Sequence, residues 1–60
     1  MRGTRKEVYG KDLREGVWYR SRFGFQVYKH EGQVYKLNTR DEPVKIYPAD
    51  YSVFIEEGAR

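Results

Sequence analysis

The stretch FQVYKHEGQVYKLN, residues 25–38, constrains the fold more than any other part of the chain. Phe23, Phe25 and Val27 alternate with Gly24, Gln26 and Tyr28, the spacing of a strand with one face in a core. After His30, Glu31 and Gly32 the β-forming run resumes with Gln33, Val34, Tyr35, Lys36 and Leu37. Two such runs around a glycine predict a hairpin, and its register decides which side chains meet. A two-residue Glu31-Gly32 loop would set Val27 opposite Lys36 and Phe25 opposite Asn38, placing polar groups on the apolar face. A three-residue His30-Glu31-Gly32 loop sets Phe25 opposite Leu37 and Val27 opposite Tyr35, with Gly32 as the left-handed bulge residue. The three-residue loop is therefore expected.

The tetrapeptide QVYK occurs twice in this stretch, seven residues apart. In the expected register Val27 faces the core and Val34 the solvent, with Tyr28 and Tyr35 reversed in the same way. The copies then act as hairpin arms that share letters, not as duplicated binding elements. A heptad coil is disfavoured, because Gly32 interrupts and no third copy exists.

The rest of the chain continues the β pattern. Residues 1–10 read as a basic N-terminal arm, with Val8 and Tyr9 able to pair onto a sheet edge, and residues 11–60 as one small domain. KDLREGVWYR offers a leucine, a glycine turn and a β-rich run; SRFG is a reversal, and NTRDEP a polar loop closed by proline. VKIY alternates as a strand, PADY is a tight or single helical turn, and SVFIEE is a final strand. No segment of ten residues shows helical spacing. Short strands with brief connections predict an all-β, five-stranded antiparallel barrel. Its expected core is Leu13, Val17, Phe25, Val27, Tyr35, Leu37, Val44, Ile46, Val53 and Ile55.

IYPADYSVFIE, residues 46–56, resembles the end of Src-homology-3 domains, where a proline, two residues and a tyrosine turn into the last strand. DLREGVWYR resembles the opening of many barrels of that class. The resemblance implies a small Src-homology-3-like barrel and nothing about ligand. The family's Ala-Leu-Tyr-Asp-type opening is absent and Trp18 stands alone, so proline-rich peptide binding is not implied.

A chain of 60 residues buries only about 60% of the surface its unfolded form exposes, and six Tyr, three Phe and one Trp supply the area such a core needs. There is no cysteine to add a disulfide or thiolate metal site. MRGTRKEVYGKDLREG has no apolar run, so a soluble cytoplasmic protein with no membrane partner is expected. Charge is uneven. Residues 1–22 carry seven basic and three acidic groups, a balance of +4, while residues 23–60 carry five and six.

Catalytic chemistry finds no foothold. His30 is the lone histidine, without companions for a metal. Asp41-Glu42 and Glu56-Glu57 are sequence neighbours, not carboxylates converging on a substrate. Ser21 and Ser52 have no evident base, and Gly10, Gly16, Gly24 and Gly32 fall at turn spacing. No enzyme activity and no cofactor are expected. The basic and aromatic residues carry the functional signal. Trp18 shares strand parity with Arg20, Arg22 lies at a turn, and Tyr28 with Lys36 is expected on the hairpin face away from the core. Arg2, Arg5 and Lys6 add charge. Aromatic planes stack on unpaired bases while Lys and Arg neutralise phosphates. These eight residues predict nucleic-acid binding, single strands favoured. The alternative is a small protein-interaction or inhibitor module, such as a bacterial or phage regulator of a host protein, since Tyr and Arg are enriched at binding hot spots.

Overall fold

The computed structural model describes residues 6–60. Six strands form one antiparallel sheet: β1 (Glu7–Tyr9), β2 (Val17–Ser21), β3 (Gln26–His30), β4 (Gln33–Leu37), β5 (Pro43–Ile46) and β6 (Val53–Ala59). Their order is β1-β6-β2-β3-β4-β5, so β1 and β5 are free edges and the sheet is not closed. The all-β expectation agrees with this. The five-stranded barrel does not, because an additional strand comes from the segment read as an arm. Val8 pairs with Phe54 and Tyr9 with Val53 on β6.

The three-residue reversal expected after β3 occurs one hairpin earlier. Between β2 and β3, Arg22, Phe23 and Gly24 form the loop. Ser21 donates its N–H to the Phe25 carbonyl at 2.8 Å, and Gly24 takes φ +94°. The Ser21 hydroxyl accepts from the amides of Phe23 (3.2 Å) and Phe25 (3.1 Å), fixing the turn. Between β3 and β4 the loop is Glu31-Gly32 alone, with φ +52° and +79°. Two successive positive φ values are the I′ geometry that matches strand twist.

The register is therefore Val27 opposite Lys36, Tyr28 opposite Tyr35 and Lys29 opposite Val34. This corrects the expected pairing and the face assignment built on it. Val27 and Val34 share the inner face; Tyr28 and Tyr35 share the outer one. A seven-residue offset reverses the face along one strand, but the two-residue hairpin reverses it again. The lysine that seemed misplaced inside is accommodated by its length: the Lys36 ammonium sits 4.1 Å from the centre of the Phe25 ring, with the stem laid along apolar surface.

The core is Leu13, Tyr19, Val27 and Phe54, with Val8, Val17, Phe25, Val34 and Ile46 packed against it. Tyr19 is fully buried, and its hydroxyl accepts the Arg14 backbone N–H at 3.0 Å, so its polar tip is satisfied. Leu13 and Val27 match the expected core; Tyr19 and Phe54 replace Val53 and Ile55, which lie on the opposite face of β6 from Phe54. Val44 is exposed. Beyond Tyr19 the β2–β6 register shifts, with Glu56 opposite Tyr19 and Gly58 opposite Trp18. Gly58 takes φ +133° at this bulge, a value that favours glycine.

Candidate functional site

The outer face carries a line of aromatic side chains that crosses three strands. Trp18 on β2 is directly opposite Tyr28 on β3, and Tyr28 is opposite Tyr35 on β4. Trp18 and Tyr28 meet edge-on at 5.4 Å between ring centroids, and Tyr28 and Tyr35 stack at 5.5 Å with planes 22° apart. Lys45 on β5 continues the row opposite Tyr35. Adjacent strands fix this alignment: any residue opposite another in the ladder is held within side-chain reach.

Arg60 covers the row. Its backbone N–H donates to the Gly16 carbonyl at 2.8 Å, anchoring the segment after β6. From there its guanidinium lies 4.3 Å from the Tyr28 ring centre and 5.5 Å from that of Trp18. Arg20 is on the same face but already engaged. Its Nε donates to Glu57 Oε2 at 2.6 Å and its Nη1 to the Gly24 carbonyl at 2.8 Å. Such a surface pair is worth at most about 1 kcal/mol, so a phosphate can compete for Arg20.

A second surface opens on the opposite side, at the end of the sheet. The Ser21–Phe25 turn and the loop before β6 bound a cleft of about 390 Å³, floored by Phe25, Ile46 and Phe54 and rimmed by Phe23 and Tyr51. Phe23 is 87% and Tyr51 81% exposed, although both are large aromatics. Arg22 and Lys36 line the same cleft.

The expected site residues thus divide between two surfaces. Trp18, Arg20 and Tyr28 share the outer face. Lys36 does not join Tyr28 there, because the two-residue hairpin turns it inward; with Arg22 it belongs to the cleft. Lys6 lies 3.9 Å from Glu56, which also accepts from Arg14 at 3.3 Å. Hydrogen bonding to Tyr19 and the charge of Glu56 hold the Arg14 guanidinium above its ordinary pKa. Arg2 and Arg5 lie outside the described residues. Sequence reasoning missed Tyr35, Lys45 and Arg60 on the row and Phe23 and Tyr51 at the cleft. The I′ register would have revealed Tyr35, since it puts one tyrosine of each QVYK copy side by side; Lys45 follows only from the β4–β5 pairing.

Among the described residues no three of His, Asp and Glu converge as metal ligands, and no helix is long and apolar enough to cross a membrane. Comparison of the chain with protein-family models, with curated proteins and with solved structures finds no match.

Proposed function

We propose that the chain is a non-catalytic binding module that holds single-stranded nucleic acid across the Trp18–Tyr28–Tyr35 row. The observation that carries this reading is the Arg60 guanidinium over Tyr28 at 4.3 Å. A planar cation resting on an aromatic row marks the place where a planar base can rest instead. Its displacement frees the cation to pair with a phosphate. Each base–aromatic stack contributes about 1–3 kcal/mol irrespective of sequence. Arg20 and Lys45 flank the row as further phosphate partners.

Trp18 is the only tryptophan, so its emission reports contact at the row directly. Titration with labelled oligo-dT and oligo-U at two salt concentrations tests the proposal. Quenching is expected at low salt, with log affinity falling by about 0.7 per neutralised phosphate for each log unit of salt. Arg60→Ala reduces that slope by about 0.7, one phosphate. Tyr35→Ala costs about 1–3 kcal/mol, roughly a five- to 150-fold loss of affinity. Unchanged emission at low salt rejects the row as a nucleic-acid surface.

We also infer kinship in form with Src-homology-3-like barrels over one segment. Support comes from the Ser52 N–H donating to the Ala49 carbonyl at 3.0 Å, the single turn before the last strand that the resemblance calls for. The second functional reading, a protein-interaction module, is favoured by a different feature: the apolar cleft between Phe23 and Tyr51.

A further inference from the structure

We propose that the cleft between the Ser21–Phe25 turn and the loop before β6 is a separate docking site for an acidic protein segment that presents one or two aliphatic side chains. The site is independent of the aromatic row, which occupies the other face of the sheet.

Three observations carry the choice of occupant. The floor and rim are apolar: Phe23, Phe25, Ile46, Tyr51 and Phe54 supply ring and aliphatic surface, and about 390 Å³ is within the range of ligand pockets. Phe23 and Tyr51 are almost wholly exposed; Tyr47 is equally exposed, but only Phe23 and Tyr51 stand together at a hollow. No carboxylate lines the cleft, whereas Arg22 and Lys36 do, and neither forms a salt bridge among the described residues. An unpaired basic pair beside an apolar hollow complements carboxylates flanking an apolar anchor, and such complementarity selects the partner more than it adds affinity.

The same chemistry disfavours a nucleobase. The floor of Phe25, Ile46 and Phe54 offers its polar edges no partner, and only Arg22, Lys36 and the Tyr51 and Ser52 hydroxyls at the margin could supply any. The Ser21 hydroxyl already accepts two amides, and the Ser52 backbone N–H and carbonyl are both bonded, to Ala49 and Gly10. An aliphatic side chain loses nothing on entering this space, whereas a base seated on the floor leaves the edge groups that face Phe25, Ile46 and Phe54 unpaired.

The test uses the uniformly ¹⁵N-labelled chain and the peptide Glu-Glu-Leu-Leu-Glu-Glu with blocked ends. Amide shifts are expected at Ser21–Phe25 and Tyr51–Phe54, with the Trp18 and Tyr28 amides unmoved. Replacing the glutamates by lysines, or the leucines by alanines, is expected to weaken binding by at least about tenfold. Phe23→Ala and Arg22→Glu are expected to weaken it similarly; both side chains lie outside the buried core, and an unchanged spectrum elsewhere verifies the fold. No shift with the acidic peptide overturns the proposal, as does equal binding of the lysine peptide. Shifts of the same amides with oligo-dT would assign the cleft to nucleic acid, and concentration-dependent shifts of the chain alone would assign it to a second copy. Either result also overturns it. Because the readouts lie on different faces, loss of nucleic-acid binding at Trp18 leaves this outcome unaffected.

Discussion

Glu15 does more for the hairpin than its position, 16 residues before the turn, would suggest. Its Oε2 accepts the Gly32 N–H at 2.7 Å, and the Glu31 amide also reaches its carboxylate. Glu31 holds a left-handed backbone that costs a non-glycine residue about 1–2 kcal/mol. Glu15 helps offset that cost from outside the hairpin. The two amides hold its carboxyl below the ordinary value of 4.5, with His30 and Lys29 adding in the same direction. The folded state therefore favours the ionised form. The stabilisation is fully present above pH 4.5 and is lost as pH falls through the depressed folded value. Stability measured from pH 6 to pH 2 should decline in that window, with the Gly32 amide shift following the same titration. Glu15→Gln should flatten that part of the decline; an unchanged profile would show that Glu15 does not tie the turn.

At the scale of elements, the QVYK repeat acquires a structural meaning. Each copy sends a valine inward and a tyrosine outward. Each also supplies a lysine on the valine's face. Lys29 donates to the Leu13 carbonyl at 3.4 Å, and Lys36 reaches over Phe25. Valines face lysines across the strands, so the hairpin fills the core on one diagonal and places an ammonium at either end of the other. The turn after β1 is held as closely. Gly10 donates to the Ser52 carbonyl at 2.7 Å, and a Cβ on Gly10 would collide with the Ala49 carbonyl oxygen. Gly10→Ala should destabilise the chain by about 1–3 kcal/mol, the cost of overpacking against backbone. Thermal melting checks this; an unchanged midpoint would mean β1 is loosely docked.

The hairpins were legible because alternation and turn glycines are local signals. Register was not legible at β3–β4. It depends on a lysine acting as an apolar stem and on Glu15, which lies outside the segment. Neither was the face of β6. Val53, Phe54 and Ile55 are all apolar, so periodicity offers two equal choices, and pairing with Val8 on β1 decides between them. Of the candidate surfaces, Trp18 could be placed beside Arg20 from strand parity, whereas its pairing with Tyr28 needs the β2–β3 register and Arg60 needs the bulge at Gly58 and the bond to Gly16 that bring it over the rings.

At the scale of the molecule, four buried side chains among the described residues organise the interior, and β6 joins distant segments by pairing with both β1 and β2. A single small core of this kind rarely supplies more than about 3–5 kcal/mol. Urea unfolding should be one transition with a slope of about 1 kcal/mol/M, and Trp18 emission should coincide with far-ultraviolet circular dichroism. Separate midpoints would mean that β3–β5 and the β1–β6–β2 half come apart independently. Because many pairings join distant parts of the chain, folding should be slow for this length.

The tether between Arg60 and Gly16 has a practical corollary. Arg60 is held by its backbone while its guanidinium rests over Tyr28 and Trp18, so an affinity handle fused directly behind it would begin beside the rings and crowd them, whereas the opposite terminus leads into β1, an edge strand separated from β2 by β6.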